Sequence, residues 1–110
     1  MLFRSMSFMF CDCSGLNEIN FKKFNTNNVT NMECMFKECS LLKELNLNNF
    51  NTHNVRYMNY MFYGCSSLKE LYLKNFNINN IFYIQGMFNE CPNELIMQIK
   101  AQNNHLNNYI

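Results

Sequence analysis

The chain has 110 residues, nearly half of them hydrophobic, with nine basic and eight acidic side chains and a net charge of +1. That is the length of one domain with enough apolar material for a core. No basic stripe points to nucleic acid, and no apolar run reaches the roughly 20 residues that span a bilayer.

Met1 to Phe10 is apolar, but Arg4 interrupts it and Cys11-Asp12-Cys13 follows where a secretion signal would carry small residues. The same stretch opens a repeat. Met-Phe occurs at Met9-Phe10, Met35-Phe36, Met61-Phe62 and Met87-Phe88, always 26 residues apart. A cysteine follows each Phe by three positions, at Cys13, Cys39, Cys65 and Cys91. Residues 25–50 and 51–76 are identical at 16 of 26 positions. A constant period of this length predicts stacked coils, each burying its apolar face on the next.

In the first copy Leu16, Ile19 and Phe21 begin the strand pattern; Leu42, Leu45 and Leu47 repeat it, then Leu68, Leu71 and Leu73. The last two of each set stand two apart, so one face is buried and the other carries Glu18 and Asn20, Glu44 and Asn46, then Glu70, Tyr72 and Lys74. Three parallel strands are expected, roughly 4.8 Å apart. Phe24, Phe50 and Phe76 then predict an aromatic column inside Asn-rich turns. Asn supplies 22 residues, and its amide favours turns and can bond the peptide groups of adjacent coils.

Between strands the period changes. Val29, Met32, Met35, Phe36 and Cys39 fall on one face of a helix, as do Val55, Met58, Met61, Phe62 and Cys65 and then Ile81, Ile84, Met87, Phe88 and Cys91. A short helix or broken helical turn is predicted there, with Asn28 as a candidate N-cap and the methionines in the core. The fourth copy departs from the pattern: Glu94 stands where the others have Leu, after Pro92. A capping helix over about 93–104 is expected, against a rival strand with Met97 and Ile99 in the slots of Leu71 and Leu73. The organisation is thus four copies over 1–91, the first incomplete, then a cap helix and a polar, frayed tail over 92–110.

The run Phe36-x-x-Cys39-x-x-Leu42-x-x-Leu45-x-Leu47, with Asn28-Val29-Thr30-Asn31-Met32-x-x-Met35-Phe36 before it, resembles BspA-type leucine-rich repeats. The likeness runs over about residues 3–91. It implies an α/β fold, a right-handed solenoid with one short parallel strand and one helical arc per coil. It also implies display at the cell surface or secretion, with adhesion to other macromolecules; a cytoplasmic setting is the alternative. No catalytic residue comes with it.

The cysteine column could suggest disulfides or metal, but a slot repeated in every coil fits a small buried hydrophobe better than four ligands converging on one point. Cys11 and Cys34 lie outside the column and are expected to be more exposed, and Cys11-x-Cys13 has no second pair. His53 fills a turn slot held elsewhere by Asn27 and Asn79, and His105 lies in the tail; neither has a nucleophile beside it in the pattern. No cofactor, metal or catalytic site is therefore expected. Tyr72 is the one aromatic on the strand face and Lys74 follows two positions on, a pairing typical of protein recognition. A contact patch is expected at Glu44, Asn46, Glu70, Tyr72 and Lys74, for a protein or glycan. The competing readings are a spacer in a longer array and an enzyme. Phe3, Met6, Met9 and Phe10 are expected to face outward at the first coil, which predicts either that the protein continues before Met1 or that the chain self-associates through that end.

Overall fold

The computed structural model describes residues 3–78 and 81–102. Within them, equivalent residues of successive copies lie side by side. Strands β1 (Glu44–Asn46) and β2 (Glu70–Tyr72) pair in parallel with Glu44 opposite Glu70, Leu45 opposite Leu71 and Asn46 opposite Tyr72. Each offset is one 26-residue period. A second line of parallel bridges joins Ser5, Asn31, Tyr57 and Tyr83 at the same offset.

The stretch from Met32 to Cys39 is not an α-helix. Alternate amides leave their own copy: Met32, Cys34, Phe36 and Glu38 donate to the carbonyls of Tyr57, Asn59, Met61 and Tyr63 at 2.7–3.0 Å. The amides between them close tight turns, Met35 to Met32 and Cys39 to Phe36. The third residues of these turns, Cys34 and Glu38, have φ of 53° and 62°, the left-handed conformation of a type II turn. The same two slots hold Phe8 and Asp12, then Tyr60 and Gly64, then Gly86 and Glu90, all with positive φ. A right-handed helix cannot pass through them. The apolar period survives because every third or fourth residue still turns inward, and Asn28 has no helix to cap.

Two aromatic columns run through the core. Phe10, Phe36, Phe62 and Phe88 stack at 5.7, 5.7 and 5.3 Å with nearly parallel rings. Phe50 stacks on Phe76 at 6.5 Å, but Phe24 does not continue that column; it meets Phe3 and Phe21 instead. Phe21 occupies the slot of Leu47 and Leu73, and its larger ring meets Phe10, Phe24, Phe36 and Phe50 edge-on. That bulk holds the first copy's segment off the sheet. The strand expected over 16–21 does not form, and an open groove of about 650 Å³ lies between Asn17–Ile19 and the start of β1.

Leucines of both strands and all the columnar methionines from Met32 to Met61 are buried. Met6 is buried too, while Phe3, Met9 and Phe10 are half-buried, so the first coil shows less apolar surface than its sequence predicts. The fourth copy ends in helix α1 (Asn93–Gln102), with Glu94 in its first turn and Lys100 in its last, each suited to the helix dipole. Leu95 and Ile99, one turn apart, face the core, and Met97 faces out. A strand here would place Glu94 in the buried slot of Leu68, at the cost of desolvating a carboxylate. The tail 103–110, with the last two residues of the expected helix, lies outside the described residues.

Asparagine works in both ways its chemistry allows. The side-chain oxygens of Asn20, Asn25, Asn31, Asn46 and Asn51 each accept from the amide two residues on, closing turns. Asn54 and Asn75 donate across to the carbonyls of Asn27 and Asn48 in the copy before. Among the described residues, Thr26 and Thr52 are the buried polar ones beside these turns. The Thr26 hydroxyl accepts from the Asn51 amide at 2.8 Å and donates to the Asn51 carbonyl at 3.4 Å. Thr26→Val keeps the shape and strands that amide, so the variant should lose about 1–3 kcal/mol in urea unfolding. Exposed Thr30→Val, measured alongside, should change stability by less than about 0.5 kcal/mol.

Candidate functional site: the exposed strand face

Strand alternation puts Leu45 and Leu71 inward and leaves Glu44, Asn46, Glu70 and Tyr72 in solvent, with Lys74 beyond them. All five residues expected to form a patch therefore share one face. Pairing sets Glu44 beside Glu70, and Lys43 and Lys69 precede them, so the like charges are interleaved with opposite ones in screening solvent. Tyr72 donates its hydroxyl to the Glu70 carboxylate at 2.7 Å. That bond, with a smaller contribution from burial, raises the phenol above its ordinary value. The bond ties the exposed ring of Tyr72 to its neighbour two residues back on the strand. The Lys74 amide donates to the Asn48 side chain at 2.8 Å, tying the end of this face to the copy before.

Grooves follow the same face. One of about 840 Å³ runs between β2 and α1, lined by Ser66 to Tyr72 on one side and by Glu94, Leu95, Gln98, Ile99 and Gln102 on the other. The groove of about 650 Å³ beside β1 takes in Glu18, Lys43, Glu44 and Asn46. Both are large enough for a ligand segment.

The cysteine column is made of thiols that donate hydrogen bonds. Cys39, Cys65 and Cys91 donate to the carbonyls of Phe10, Phe36 and Phe62, in the copy before each, at 3.0–3.1 Å. Burial pushes Cys39 and Cys91 up to about 12 and raises Cys65 as well. Such thiols stay protonated and are poor nucleophiles. Cys34 is also buried, at 6% exposure, contrary to the expectation from its place outside the column. Its slot is the left-handed turn position that Phe8 and Tyr60 fill in the neighbouring copies. Cys11 is half-buried. His53 sits exposed in a turn, its amide donating to Asn51. His105 lies outside the described residues. Among the described residues no three His, Cys, Asp or Glu side chains gather to hold a metal ion, and no helix is long and apolar enough to cross a membrane.

A second exposed row is not marked by the inward pattern of the repeat. Tyr57 and Tyr83 stack at 5.2 Å along the bridge line, and Arg56 lies over the ring of Phe82, which is 71% exposed. The 26-residue register holds Ser5 and Asn31 in the tyrosine slot, so the row is aromatic only in its last two copies. Comparing outward slots copy by copy, rather than inward ones, would have found it.

No curated protein and no solved structure matches this chain. Residues 4–107 match the family described as Mycoplasma protein of unknown function, DUF285, a span that takes in the stacked copies, the strand face and α1. The chain belongs to that family.

Proposed function

We propose that this chain is a non-catalytic binding module of the BspA-like leucine-rich-repeat type, a right-handed solenoid displayed at the cell surface. Its strand face takes a macromolecular partner, a protein or a glycan. The observation that carries this reading is the placement of Glu44, Asn46, Glu70, Tyr72 and Lys74 on one exposed face flanked by two grooves. Mixed charge around an exposed tyrosine suits polar recognition centred on an aromatic anchor. Surface display rests on the resemblance of the repeat phrase to surface proteins. The protonated thiols and the solvent-facing His53 favour binding over catalysis, because neither offers an activated nucleophile.

The test is an array of extracellular-matrix proteins and glycans probed with the intact chain and with Tyr72→Ala. Binding should weaken about 30-fold in the variant, the loss of about 2 kcal/mol expected for an anchor. Tyr83→Ala, on the other row, should bind like the parent. Undiminished binding by Tyr72→Ala, or a loss confined to Tyr83→Ala, would move the site off the strand face.

A further inference from the structure

Among the described residues, no strand pairs with the edge of β2 that faces away from β1. In a parallel ladder successive residues direct their peptide groups to alternate sides. The Glu70 amide donates to the Lys43 carbonyl at 3.1 Å, and the Leu47 amide to the Tyr72 carbonyl at 2.9 Å, so Glu70 and Tyr72 face β1. The amides of Leu71 and Leu73 and the carbonyls of Lys69 and Leu71 then face the other way. Among the described residues those two amides have no hydrogen-bond partner. One period on, the residue that would stand opposite is Gln98, and it lies in α1 rather than in a strand.

The helix does not close the gap. The 840 Å³ groove lies along this edge, with consecutive residues Ser66 to Tyr72 as one wall and the Glu94, Gln98 and Gln102 side of α1 as the other. Leu71 and Leu73 are each 7% exposed, whereas Leu45 and Leu47, whose edge is covered by β2, are at 1% and 0%. We infer that this groove takes an extended polypeptide segment, which adds to β2 as a further parallel strand. The occupant follows from continuity with the interface already present: β1 presents the same pattern of amides and carbonyls, and β2 fills it with an extended backbone. A free strand edge selects for peptide groups. Gln98 and Gln102 line the opposite wall with amides able to bond the far side of such a segment.

The inference rests on the proposed binding role of this face but does not depend on Tyr72 as its anchor, so the two can fail separately. The probe is a synthetic peptide of residues 66–76, the sequence that already pairs in this way with β1, added to the whole chain. Hydrogen exchange followed by NMR reads the edge directly. Without peptide, the amides of Leu71 and Leu73 should exchange at least 100-fold faster than those of Leu45 and Leu47. Saturating peptide should slow Leu71 and Leu73 by 10-fold or more, and the same peptide N-methylated at alternate residues should not. Protection of Leu71 and Leu73 by the peptide, together with undiminished array binding by Tyr72→Ala, would uphold the strand edge and fail only the Tyr72-centred reading. Slow exchange of Leu71 and Leu73 in the free protein would show a sealed edge and overturn the inference. So would equal protection by the methylated peptide, or protection by a chito-oligosaccharide in its place.

Discussion

Phe36→Ala is expected to lower unfolding stability by about 3–5 kcal/mol, a large share of the roughly 5–15 kcal/mol that holds a domain of this kind folded. Phe36 is fully buried, with parallel rings on both sides: Phe10 at 5.7 Å from the copy before and Phe62 at 5.7 Å from the copy after. Phe21 also meets it edge-on at 5.8 Å. Truncation opens a cavity that spans two interfaces. The coils cannot slide together to fill it, because the amides of Phe10 and Phe36 fix their spacing through bonds of 2.9 Å to Met35 and Met61. Met97→Ala, on the solvent side of α1, should change stability by less than about 0.5 kcal/mol. Urea unfolding of both variants provides the comparison. Equal, small losses would mean that the aromatic column contributes little to the stack.

The second large effect is loss of stability in alkali. The unfolded thiol ionises near 9.0, whereas burial holds Cys39 and Cys91 at about 12 and raises Cys65 too. A folded-state value above the unfolded one means that the folded chain holds the proton more tightly. The resulting stability is complete below pH 9 and is lost as pH rises from 9 toward 12. Each thiol should contribute a slope of about 1.4 kcal/mol per pH unit in that window. The informative quantity is a difference between variants, because it isolates one thiol. Serine at position 65 can keep the bond to the Phe36 carbonyl without ionising in this range. Cys65→Ser should therefore flatten the alkaline limb by about one thiol's slope. Parallel pH profiles for the parent and Cys65→Ser above pH 9 would show that the Cys65 thiol is not held protonated by the fold.

How far the sequence speaks depends on whether a feature is repeated or specific to one copy. The L-x-x-L-x-L spacing located β1 and β2 with their inward and outward residues, because a two-residue period has one physical meaning on a half-buried surface. The same spacing misled in the first copy, where Phe21 for leucine changed a volume that no pattern of polarity records. The stretches between strands were misjudged for a different reason. Residues in left-handed conformation are usually betrayed by glycine, but here the slots hold Phe8, Cys34 and Tyr60 before Gly86, and Asp12 and Glu38 before Gly64. Aligning Cys34 and Tyr60 with Gly86 across the period carries the warning. A helix would have no reason to place glycine at the same point. The crowding is visible at Gly86, where an added Cβ would run into the Tyr60 ring.

The strand face was legible as a set of outward residues, because alternation fixes it. Its grooves were not, since they arise from two departures from the repeat: Phe21 holding the first segment away, and α1 standing where a strand would be. Recognition sites on repeat architectures can lie where the repeat fails, because a perfectly regular stack leaves only its two end edges uncovered.

The central claim is that each coil's alternate amides bond the coil one period away. Trans-hydrogen-bond scalar couplings measured by NMR on isotopically labelled protein test it most directly. Couplings should link the amide nitrogens of Met32, Cys34 and Phe36 to the carbonyl carbons of Tyr57, Asn59 and Met61, 25 residues ahead. Couplings from those nitrogens to carbonyls four residues behind, as in an isolated α-helix, would contradict the stack outright.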